Sequence, residues 1–476
     1  GTIYLYADSY YAVYSNHNRN IPMVKRSERK KDMDFLVIGG DAAGMSAASR
    51  AKRNKPDMNV TVLEQTTDVS YSACGMPYNI ADPDRTIDDL VVRQAQVFRD
   101  KQGINLLTGC RAESIDPAAK AVQAVDHAGK EKAFHYDKLL IATGASPIMP
   151  PITGIDLEGV LPLKRLSDGR HIKEFISRKT VQSAVLVGMG YIGLEMSESL
   201  KERGIDVVGV TRGFMSNYDE KIAEVVRQTL AAHEVSLYSD HAVEKLEKDG
   251  GKLSVRCGGE ALEADMVLMG VGVRPNSEMA ADAGIALGPE NAISVDRRTE
   301  TSIPGIFSAG DCADAYHVVT GEKVWVPLAL YANRAGWTAA DNVCGKHAEI
   351  QGIAGSAVFK VFELEVGRTG LSVKEAEAAG FDPAAVTIEA RSRAHAHPGS
   401  TSIWVHMVGD RKSGRLLGAQ MVGKEGVAHR IKAPTVALHA QMTVQDFSQT
   451  DLAYAPPFSP VWDPMLTAAN QLIKKL

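Results

Sequence analysis

The chain has 476 residues, of which 45% are hydrophobic and 23% are charged, and its formal net charge is −5. This length predicts about three domains. The weak negative charge gives no reason to expect nucleic acid or an anionic membrane surface as a partner, and no apolar run approaches the roughly 18 residues of a membrane-spanning helix.

The cysteine pattern indicates a reducing compartment. The five cysteines are scattered, without a CxxC pair or a neighbouring histidine at metal-ligand spacing. Such a set in a long chain is typical of buried free thiols, so we expect a cytoplasmic protein without a metal site. The five are Cys74, Cys110, Cys257, Cys312 and Cys344.

The first 32 residues differ in composition from the remainder. Residues 1–14 are rich in tyrosine, 25–31 are basic, and the stretch lacks the apolar block of a secretory signal. Because Met33 directly precedes the first predicted strand, we expect residues 1–32 to form an arm outside the fold. The arm is either a leader that is not native to the protein or a segment that docks on a partner subunit.

A first dinucleotide-binding unit is predicted from residue 33 to about 150. The apolar run 34–38 is typical of a buried parallel strand, a glycine-rich turn and a helix follow, and a second strand at 60–64 ends in Glu64. Glycines let the backbone approach a pyrophosphate at the helix N-terminus, and the glutamate can accept ribose hydroxyls. An ordinary βαβ crossover is the alternative, and Asp41 holds the middle glycine position of the motif. The candidate residues are Gly39, Gly40, Gly44 and Glu64.

Each of three arginines in or near this unit has two possible roles. Arg50 and Arg53 lie three apart on the predicted helix and therefore on one face, and Arg93 follows the apolar run 90–92. Each is either a solvated surface residue or part of a phosphate clamp for a second anionic ligand.

A second nucleotide unit is predicted from residue 151 to 272. The strand at 138–145 contains a Thr143–Gly144 turn and is followed by prolines that break it, so we place a crossover there. The strand at 183–187 then leads into a motif with all three glycines. They are Gly188, Gly190 and Gly193.

Three residues of the second unit bear on the nicotinamide cofactor. The strand at 206–212 ends in Arg212 where an NAD site would have an acid, and a guanidinium pairs with a 2′-phosphate, which favours NADPH over NADH. Alternatively, this arginine is merely exposed at a strand end. Glu195 is either a surface carboxylate or a contact near the nicotinamide, and Tyr191 is either a packing residue or an aromatic lid.

After residue 272 the chain is predicted to return to the first unit. The segment 299–311 ends in Gly310–Asp311, where the carboxylate can be aimed at the ribityl chain or ribose of a flavin, and 325–329, including Ala329, is expected to line the same pocket. From about residue 346 short β-rich runs predict a third, mixed α+β domain that could carry a subunit interface. The fold class is therefore α/β, with two Rossmann-like dinucleotide-binding domains and a C-terminal α+β domain.

Four stretches together resemble the flavoprotein disulfide reductases with two dinucleotide-binding domains. They are the Ser-Tyr-Ser-Ala-Cys-Gly-Met-Pro run at 70–77, the turn at 142–144, the Gly-Asp pair at 310–311, and the Asp-Leu-Ala-Tyr-Ala-Pro-Pro-Phe-Ser-Pro run at 451–460. Within that superfamily the chain is most similar to the coenzyme A disulfide reductases and the related NAD(P)H oxidases and polysulfide reductases. The resemblance covers all but the arm.

The resemblance implies a cofactor and a role for each domain. FAD is expected in a domain made of 33–150 and 273–345, NAD(P)H in 151–272, and a homodimer through 346–476 whose active site borrows residues from the second subunit. Glutathione-reductase-like members carry a CxxxxC pair and a C-terminal His-Pro…Glu base, which this chain lacks. Peroxidase and water-forming oxidase members carry a histidine where this chain has Ala42, which counts against their chemistry.

The resemblance also assigns substrate contacts. Arg50, Arg53 and Arg93 match positions that hold the phosphates and pantetheine arm of coenzyme A, and Ser70 opens the cysteine motif beside them. The family places two tyrosines of the second subunit over the redox cysteine. Tyr454 matches one, whereas the other falls in 393–398, where His395 and His397 are the candidates to replace it.

Cys74 is the expected redox residue, and the other four cysteines are expected to be buried and structural. A helix N-terminus can lower a thiol pKa, and the Pro77 turn suits a cysteine at the start of a helix. The resemblance implies that electrons from NADPH pass through FAD to a mixed disulfide on Cys74, or to a persulfide if the substrate is polysulfide, with Tyr454 protonating the leaving thiolate.

Two other functions remain open on the sequence. The first is an NAD(P)H oxidase that reduces oxygen with the same flavin. The second is a flavin-binding electron-transfer or regulatory protein whose partner is another protein.

Overall fold

The structure, a computed structural model, describes residues 33–476. The predicted arm at 1–32 lies outside the described residues, so neither interpretation of it is tested.

The strands of this part of the chain form two parallel sheets and several antiparallel ones. In chain order they are β1 (Asp34–Ile38), β2 (Asn59–Glu64), β3 (Asn105–Thr108), β4 (Cys110–Asp116), β5 (Ala121–Asp126), β6 (Glu131–His135), β7 (Lys138–Ile141), β8 (Ala145–Pro147), β9 (Val160–Pro162), β10 (Ser183–Val187), β11 (Asp206–Thr211), β12 (Ser236–Ser239), β13 (Val243–Asp249), β14 (Lys252–Cys257), β15 (Glu260–Ala264), β16 (Met266–Met269), β17 (Val273–Pro275), β18 (Ile306–Ser308), β19 (Ala315–Tyr316), β20 (Lys323–Val324), β21 (Ala357–Val361), β22 (Leu364–Gly370), β23 (Pro383–Arg391), β24 (Ser402–Asp410) and β25 (Leu416–Gly423).

The helices cover the two parallel sheets and pack against both faces of the C-terminal sheet. Within residues 33–476 none of them combines the length and apolar character needed to cross a membrane. They are α1 (Ala42–Asn54), α2 (Met76–Ala81), α3 (Ala95–Gln102), α4 (Leu166–Arg178), α5 (Tyr191–Glu202), α6 (Glu220–Ala232), α7 (Glu278–Asp282), α8 (Ala329–Val343), α9 (Val373–Ala378), α10 (Val427–Arg430), α11 (Lys432–His439), α12 (Val444–Ser448) and α13 (Pro464–Ile473).

The first parallel sheet has the order β18–β7–β1–β2–β3. The apolar run of β1 is buried from Phe35 to Ile38, as expected for a strand covered on both faces. Gly39 ends the strand at φ +109°, and a Cβ there would lie 2.1 Å from the Ala142 carbonyl oxygen of the neighbouring chain segment. Only glycine permits this turn, so the chain passes directly from strand to helix.

The second parallel sheet repeats the arrangement in the order β12–β11–β10–β16–β9. Gly188 ends β10 at φ +97°, and a Cβ there would lie 2.4 Å from the Gly270 carbonyl oxygen. The predicted strand boundaries at 183–187 agree with the structure.

An antiparallel pair, β8 with β17, marks where the chain leaves the first sheet and where it returns. The strands of the second sheet lie between these two points in the chain. This pairing supports the predicted division into 33–150 with 273–345, 151–272 and 346–476, which stays a prediction.

The C-terminal part of the chain has a five-stranded antiparallel sheet of order β21–β22–β25–β24–β23. Helices α12 and α13 pack with one face of it around a buried core that includes Met407, Phe447 and Leu472. Two Rossmann-like sheets and a mixed C-terminal region confirm the predicted fold class.

Candidate active site

A cavity opens at the carboxyl ends of the strands of the first sheet. Strand β1 lies between β7 and β2, so the chain reverses its direction across the sheet there, which is where open α/β sheets bind ligands. Seven of the residues predicted to bind FAD line this cavity, namely Gly39, Gly40, Glu64, Thr143, Gly144, Gly310 and Asp311.

Three hydrogen bonds fix the Glu64 carboxylate in a position where it can contact a ribose. Its Oε2 accepts a hydrogen bond from the Gly40 N–H at 2.8 Å, and its Oε1 accepts bonds from the backbone N–H and the hydroxyl of Thr66, both at 2.7 Å. A carboxylate has about four acceptor positions, so one remains for a hydroxyl group. Thr66 was not predicted, because a threonine two residues after a strand carries no motif.

Two predicted cofactor residues do not line the cavity. A Cβ on Gly44 would lie 1.9 Å from the Gly39 carbonyl oxygen, so this glycine lets α1 pack against the turn. Ala329 is exposed at the start of α8. Trp325 connects that segment to the site, because its indole N–H donates to the Asp311 carbonyl oxygen at 2.8 Å.

Asp311 forms an ion pair inside the cavity with Lys164, whose Nζ lies 2.8 Å from the Asp311 Oδ2. Both side chains are only partly exposed. Lys164 follows β9, and 147 residues separate it from Asp311 in the chain. Sequence reasoning missed this lysine because it belongs to no motif.

Asp41 places a carboxyl group where a pyrophosphate would approach. Burial raises its pKa to about 6, with smaller contributions in the same direction from Glu64 and Asp311. A hydrogen bond of 3.3 Å from the Tyr71 N–H opposes the shift. A carboxyl that binds its proton this readily repels a phosphate less than an ordinary aspartate does. The ribose acceptor, the glycine turn and the paired Asp311 together fit an FAD molecule.

Cys74 lies next to a residue that lines this cavity, in a 3₁₀ turn, 73–75, that leads into α2. Ser70 has φ +49°, and its carbonyl oxygen accepts the Val92 N–H at 2.9 Å, which ties the cysteine segment to the strand-like stretch beyond it. Ala73, the preceding neighbour, lines the cavity. Cys74 is exposed and the other four cysteines are buried, as predicted.

The Cys74 thiol does not gain the lowered pKa expected of a helix N-terminus. Desolvation by the surrounding side chains raises its pKa, although the residue keeps an exposed face, and the Glu195 carboxylate acts in the same direction. Lys164 opposes the shift, because its positive charge favours the thiolate. The helix that follows has only six residues, so its dipole is weak.

Helix α5 contacts the cysteine segment through Glu195 and the C-terminal sheet through Tyr191. Tyr78 on α2 donates a hydrogen bond to Glu195 on α5. Tyr191, at the start of α5, packs at 4.9 Å between ring centroids against Phe359 of β21 and remains 40% exposed. Tyr191 therefore has a packing contact, and its role as a lid stays a prediction.

A second cavity lies at the start of α5 and is lined by Gly190 and Tyr191 together with Ser216 and Arg368. Nothing lies within 4 Å of a Cβ built on Gly190, so the backbone there is open to a ligand. By contrast, a Cβ on Gly193 would lie 2.2 Å from the Gly188 carbonyl oxygen, so Gly193 serves helix packing. Arg212 is exposed at the end of β11, without an ion pair among the described residues.

The three arginines predicted to hold coenzyme A differ in their surroundings. Arg50 pairs with Asp341 on α8 through two hydrogen bonds, of 2.9 and 3.0 Å, and is therefore only partly available to a phosphate. Arg53 is exposed on the same helix face. Arg93 is exposed and lies 5.3 Å from the centre of the Phe98 ring.

The residues predicted to come from the second subunit lie in two neighbouring irregular segments of the C-terminal part. Tyr454 is 46% exposed in an irregular segment. The loop with the two candidate histidines reaches this segment, because the Ala394 N–H donates to the Pro456 carbonyl oxygen at 3.1 Å. His395 is exposed, and His397 Nδ1 lies 3.0 Å from the Pro398 carbonyl oxygen.

Comparison with known proteins places the chain among redox flavoproteins. Residues 33–336 match the family model described as pyridine nucleotide-disulphide oxidoreductase, and residues 356–465 match the dimerisation domain of the same family. Membership implies FAD and NAD(P)H as cofactors.

Individual relatives agree in length and fold. The chain is 39% identical over 441 residues to a protein of Pyrococcus abyssi named NAD(P)H sulfur oxidoreductase (CoA-dependent), covering 92% of this chain and 97% of the relative. It is 34% identical over 447 residues to an NADH oxidase of Methanocaldococcus jannaschii, covering 93% and 99%. A solved structure of an NAD-dependent persulfide reductase from A. fulgidus superimposes with a TM-score of 0.90 at 36% identity, covering 93% of this chain and 83% of the other. The chain therefore belongs to the pyridine nucleotide-disulphide oxidoreductases and is a flavoprotein enzyme of that family.

Proposed function

We propose that this enzyme is an NAD(P)H:disulfide oxidoreductase that reduces coenzyme A disulfide, or a persulfide or polysulfide of coenzyme A, through Cys74 alone. The observation that carries this proposal is the position of Cys74, the exposed cysteine of the five, directly after Ala73, which lines the cavity that fits FAD. A lone reactive thiol beside a flavin suits a substrate that brings its own second sulfur.

When bound, FAD supplies the electron pair, taken from NAD(P)H, that cleaves the mixed disulfide. Cys74, as a thiolate, attacks one sulfur of the substrate, forms a new S–S bond and expels the other half as a thiolate. Cleavage of that bond by the electron pair returns Cys74 as a thiolate and releases the second thiolate. With polysulfide, the retained half is a persulfide on Cys74.

Two charged residues act on the Cys74 thiol in opposite directions, and one of them, Lys164, lines the cavity. Lys164 lies close enough to lower the pKa of Cys74, whereas Glu195 raises it. A second copy of the chain supplies Tyr454, whose hydroxyl protonates or hydrogen-bonds the expelled thiolate. Because this chain lacks the family's second active-site tyrosine, His395 or His397 takes its place beside Tyr454.

Coenzyme A is the proposed carrier of the sulfur because Arg50 and Arg53 share one face of α1, and the Arg93 N–H donates to the Ser70 carbonyl oxygen of the cysteine segment at 3.4 Å. Arg53 and Arg93 are exposed and free to meet phosphates, and Ser70 adds a hydroxyl beside them. The Pyrococcus abyssi relative is named as CoA-dependent, which supports this choice.

NADPH is the proposed preferred reductant. Arg212 follows β11 at the position where a 2′-phosphate would lie, and its exposed guanidinium is available for that contact.

The family's dimerisation-domain match supports a homodimer, and the exposed Phe458, Val461 and Trp462 next to Tyr454 supply apolar surface for it. The free thiols support a cytoplasmic location.

The decisive experiment uses Cys74→Ser, with Cys110→Ser as the matched control. We expect the first variant to keep FAD, shown by flavin absorbance, and to lose turnover with coenzyme A disulfide, while the control retains it. The mass of the adduct on Cys74 in the isolated wild-type protein then distinguishes coenzyme A from a persulfide. Retained turnover in Cys74→Ser would refute the proposal.

An NAD(P)H oxidase is the second candidate, and the 34% identity to an NADH oxidase favours it. Oxygen consumption that persists in Cys74→Ser at the wild-type rate, without turnover of any disulfide, would select this function. A flavin electron-transfer or regulatory protein would instead show no repeated turnover with either acceptor and a stable complex with a protein.

A further inference from the structure

A third cavity, polar and with a volume of 470 Å³, lies away from the proposed flavin site and shares no lining residue with it. Its walls come from the segment before α8, the β19–β20 hairpin, the stretch after α8, the start of β25 and the end of α11. The charged or titratable residues of the lining are Arg297, His317, Glu349, Arg415 and His439.

The two arginines of this cavity lack carboxylate partners. Within residues 33–476 neither Arg297 nor Arg415 forms an ion pair. Arg297 stacks its guanidinium 4.4 Å from the centre of the Tyr316 ring and donates to the Gln351 carbonyl oxygen. Buried or half-buried guanidinium groups are normally paired, so two in one cavity indicate an anionic ligand.

Arg415 is the more informative of the two. Its Nη2 donates to the Val319 carbonyl oxygen at 3.3 Å, while its Nε is buried and finds no hydrogen-bond partner among the described residues. An N–H group left unbonded in a protein interior is unfavourable. The guanidinium forms no other hydrogen bond with the described residues, so its outer N–H groups are available to a ligand oxygen.

The remaining side chains favour a phosphate over a cation. His317 is buried, and its Nδ1 accepts the Val319 N–H at 3.3 Å, so its ring is held by the backbone at the cavity wall. His439 and Thr320 add further polar groups, and Glu349 is the one carboxylate of the lining. The lining therefore carries two positive arginines against one negative glutamate, which favours an anionic ligand.

We propose that this cavity binds the phosphoryl group of a small phosphorylated molecule, at a site additional to the flavin, nicotinamide and coenzyme A sites. The planar fork of an arginine pairs two N–H groups with two phosphate oxygens, and two such forks match a phosphate or pyrophosphate. The volume is in the range of small-molecule sites and too small for a macromolecule.

The test is calorimetric titration of the FAD-loaded enzyme with inorganic pyrophosphate, and comparison with the double variant separates binding in this cavity from binding at other anion sites. We expect saturable binding that Arg297→Ala/Arg415→Ala weakens by about tenfold or more, the loss for two charge-assisted contacts. Arg415→Lys keeps the charge but loses the fork and should weaken binding less. The control is Arg411→Ala, which removes an exposed arginine that pairs with Asp382 outside the cavity.

Each result decides the proposal. Absence of saturable binding to the wild type, or unchanged affinity in the double variant, overturns it. If the double variant does not fold, His439→Glu, at a half-exposed position at the end of α11, takes its place and must also weaken pyrophosphate binding about tenfold. An unchanged affinity in that variant overturns the proposal equally.

Discussion

The Tyr78 hydroxyl donates a hydrogen bond of 2.7 Å to the Glu195 Oε1 and so joins the helix that follows the redox cysteine to the helix that follows the second glycine motif. Burial raises the pKa of Glu195, and the bond from Tyr78 opposes that shift by stabilising the carboxylate. Because the Glu195 charge in turn raises the pKa of Cys74, the pair acts on the thiolate that the proposed reaction needs.

Glu195→Gln should make Cys74 more reactive. The substitution removes a negative charge near the sulfur, so the thiol pKa falls and the thiolate fraction near pH 7.5 rises. We expect alkylation by iodoacetamide to accelerate by up to about fivefold, equivalent to about 1 kcal/mol for a partly exposed charge interaction. The rate is read from the mass of the labelled protein against pH.

Tyr78→Phe provides the control for that experiment. Loss of the hydrogen bond raises the pKa of Glu195, so more of the acid is neutral at a given pH and Cys74 should change in the same direction but less. A variant pair with no effect on the alkylation profile would show that Glu195 does not act on the sulfur.

Lys164→Met should have the opposite effect on Cys74. Removing the positive charge raises the thiol pKa, and it also leaves the Asp311 carboxylate without its partner inside the cavity. We expect alkylation to slow by about fivefold, again the range of a partly exposed pair, and flavin content to fall. Lys164→Arg keeps the charge and should restore both quantities, whereas a structural role alone would leave the alkylation profile unchanged in either variant.

The strand–turn–helix units could be predicted from sequence because their signals are local. The run before Gly39 and the run before Gly188 each specify a buried strand, and the glycine after it is required by a carbonyl oxygen that leaves no space for a Cβ. The burial of the other four cysteines agrees with the expectation from their scattered spacing.

The electrostatics of the site could not be predicted, because they arise from contacts between distant segments. Lys164 meets Asp311 across 147 residues, and Glu195 meets Tyr78 across 117. The expected lowering of the Cys74 pKa was wrong for this reason. The expectation rested on the dipole of a short helix, whereas desolvation and the distant Glu195 carboxylate raise the pKa of Cys74.

The arginines of the proposed coenzyme A site should differ in importance. Arg53→Ala and Arg93→Ala each remove an exposed cation, and we expect KM for coenzyme A disulfide to rise about five- to tenfold, the value of one phosphate contact. Arg50→Ala should cost less, because Asp341 already neutralises Arg50. A small aromatic disulfide without phosphates serves as the control substrate, and an equal loss with it would argue against phosphate recognition.

Arg212 should determine the choice between NADPH and NADH. We expect Arg212→Ala to lower kcat/KM for NADPH by about tenfold, the value of one charge-assisted contact, and to leave kcat/KM for NADH nearly unchanged. Arg256→Ala, an exposed arginine on β14 that pairs with Glu247, is the matched control. Equal values for the two cofactors in the wild type, unaltered in Arg212→Ala, would defeat the NADPH preference.

Asp41 should make the protein less stable as the pH rises. Its pKa is about 6 in the folded state against 3.8 in the unfolded chain, so the folded state holds the proton more tightly. Below pH 3.8 both states are protonated and nothing is lost. Between 3.8 and about 6 the unfolded chain releases its proton first, and above 6 the full penalty of about 2–3 kcal/mol applies.

Asp41→Asn removes this penalty while its side-chain oxygen can still accept the Tyr71 N–H. The variant should therefore melt several degrees above the wild type at pH 8 and by a smaller margin at pH 5, as followed by circular dichroism of the FAD-loaded protein. Asp57→Asn, at an exposed position, is the control and should show no such pH-dependent gain. An equal margin for Asp41→Asn at both pH values would mean that the carboxyl titrates no differently in the folded protein.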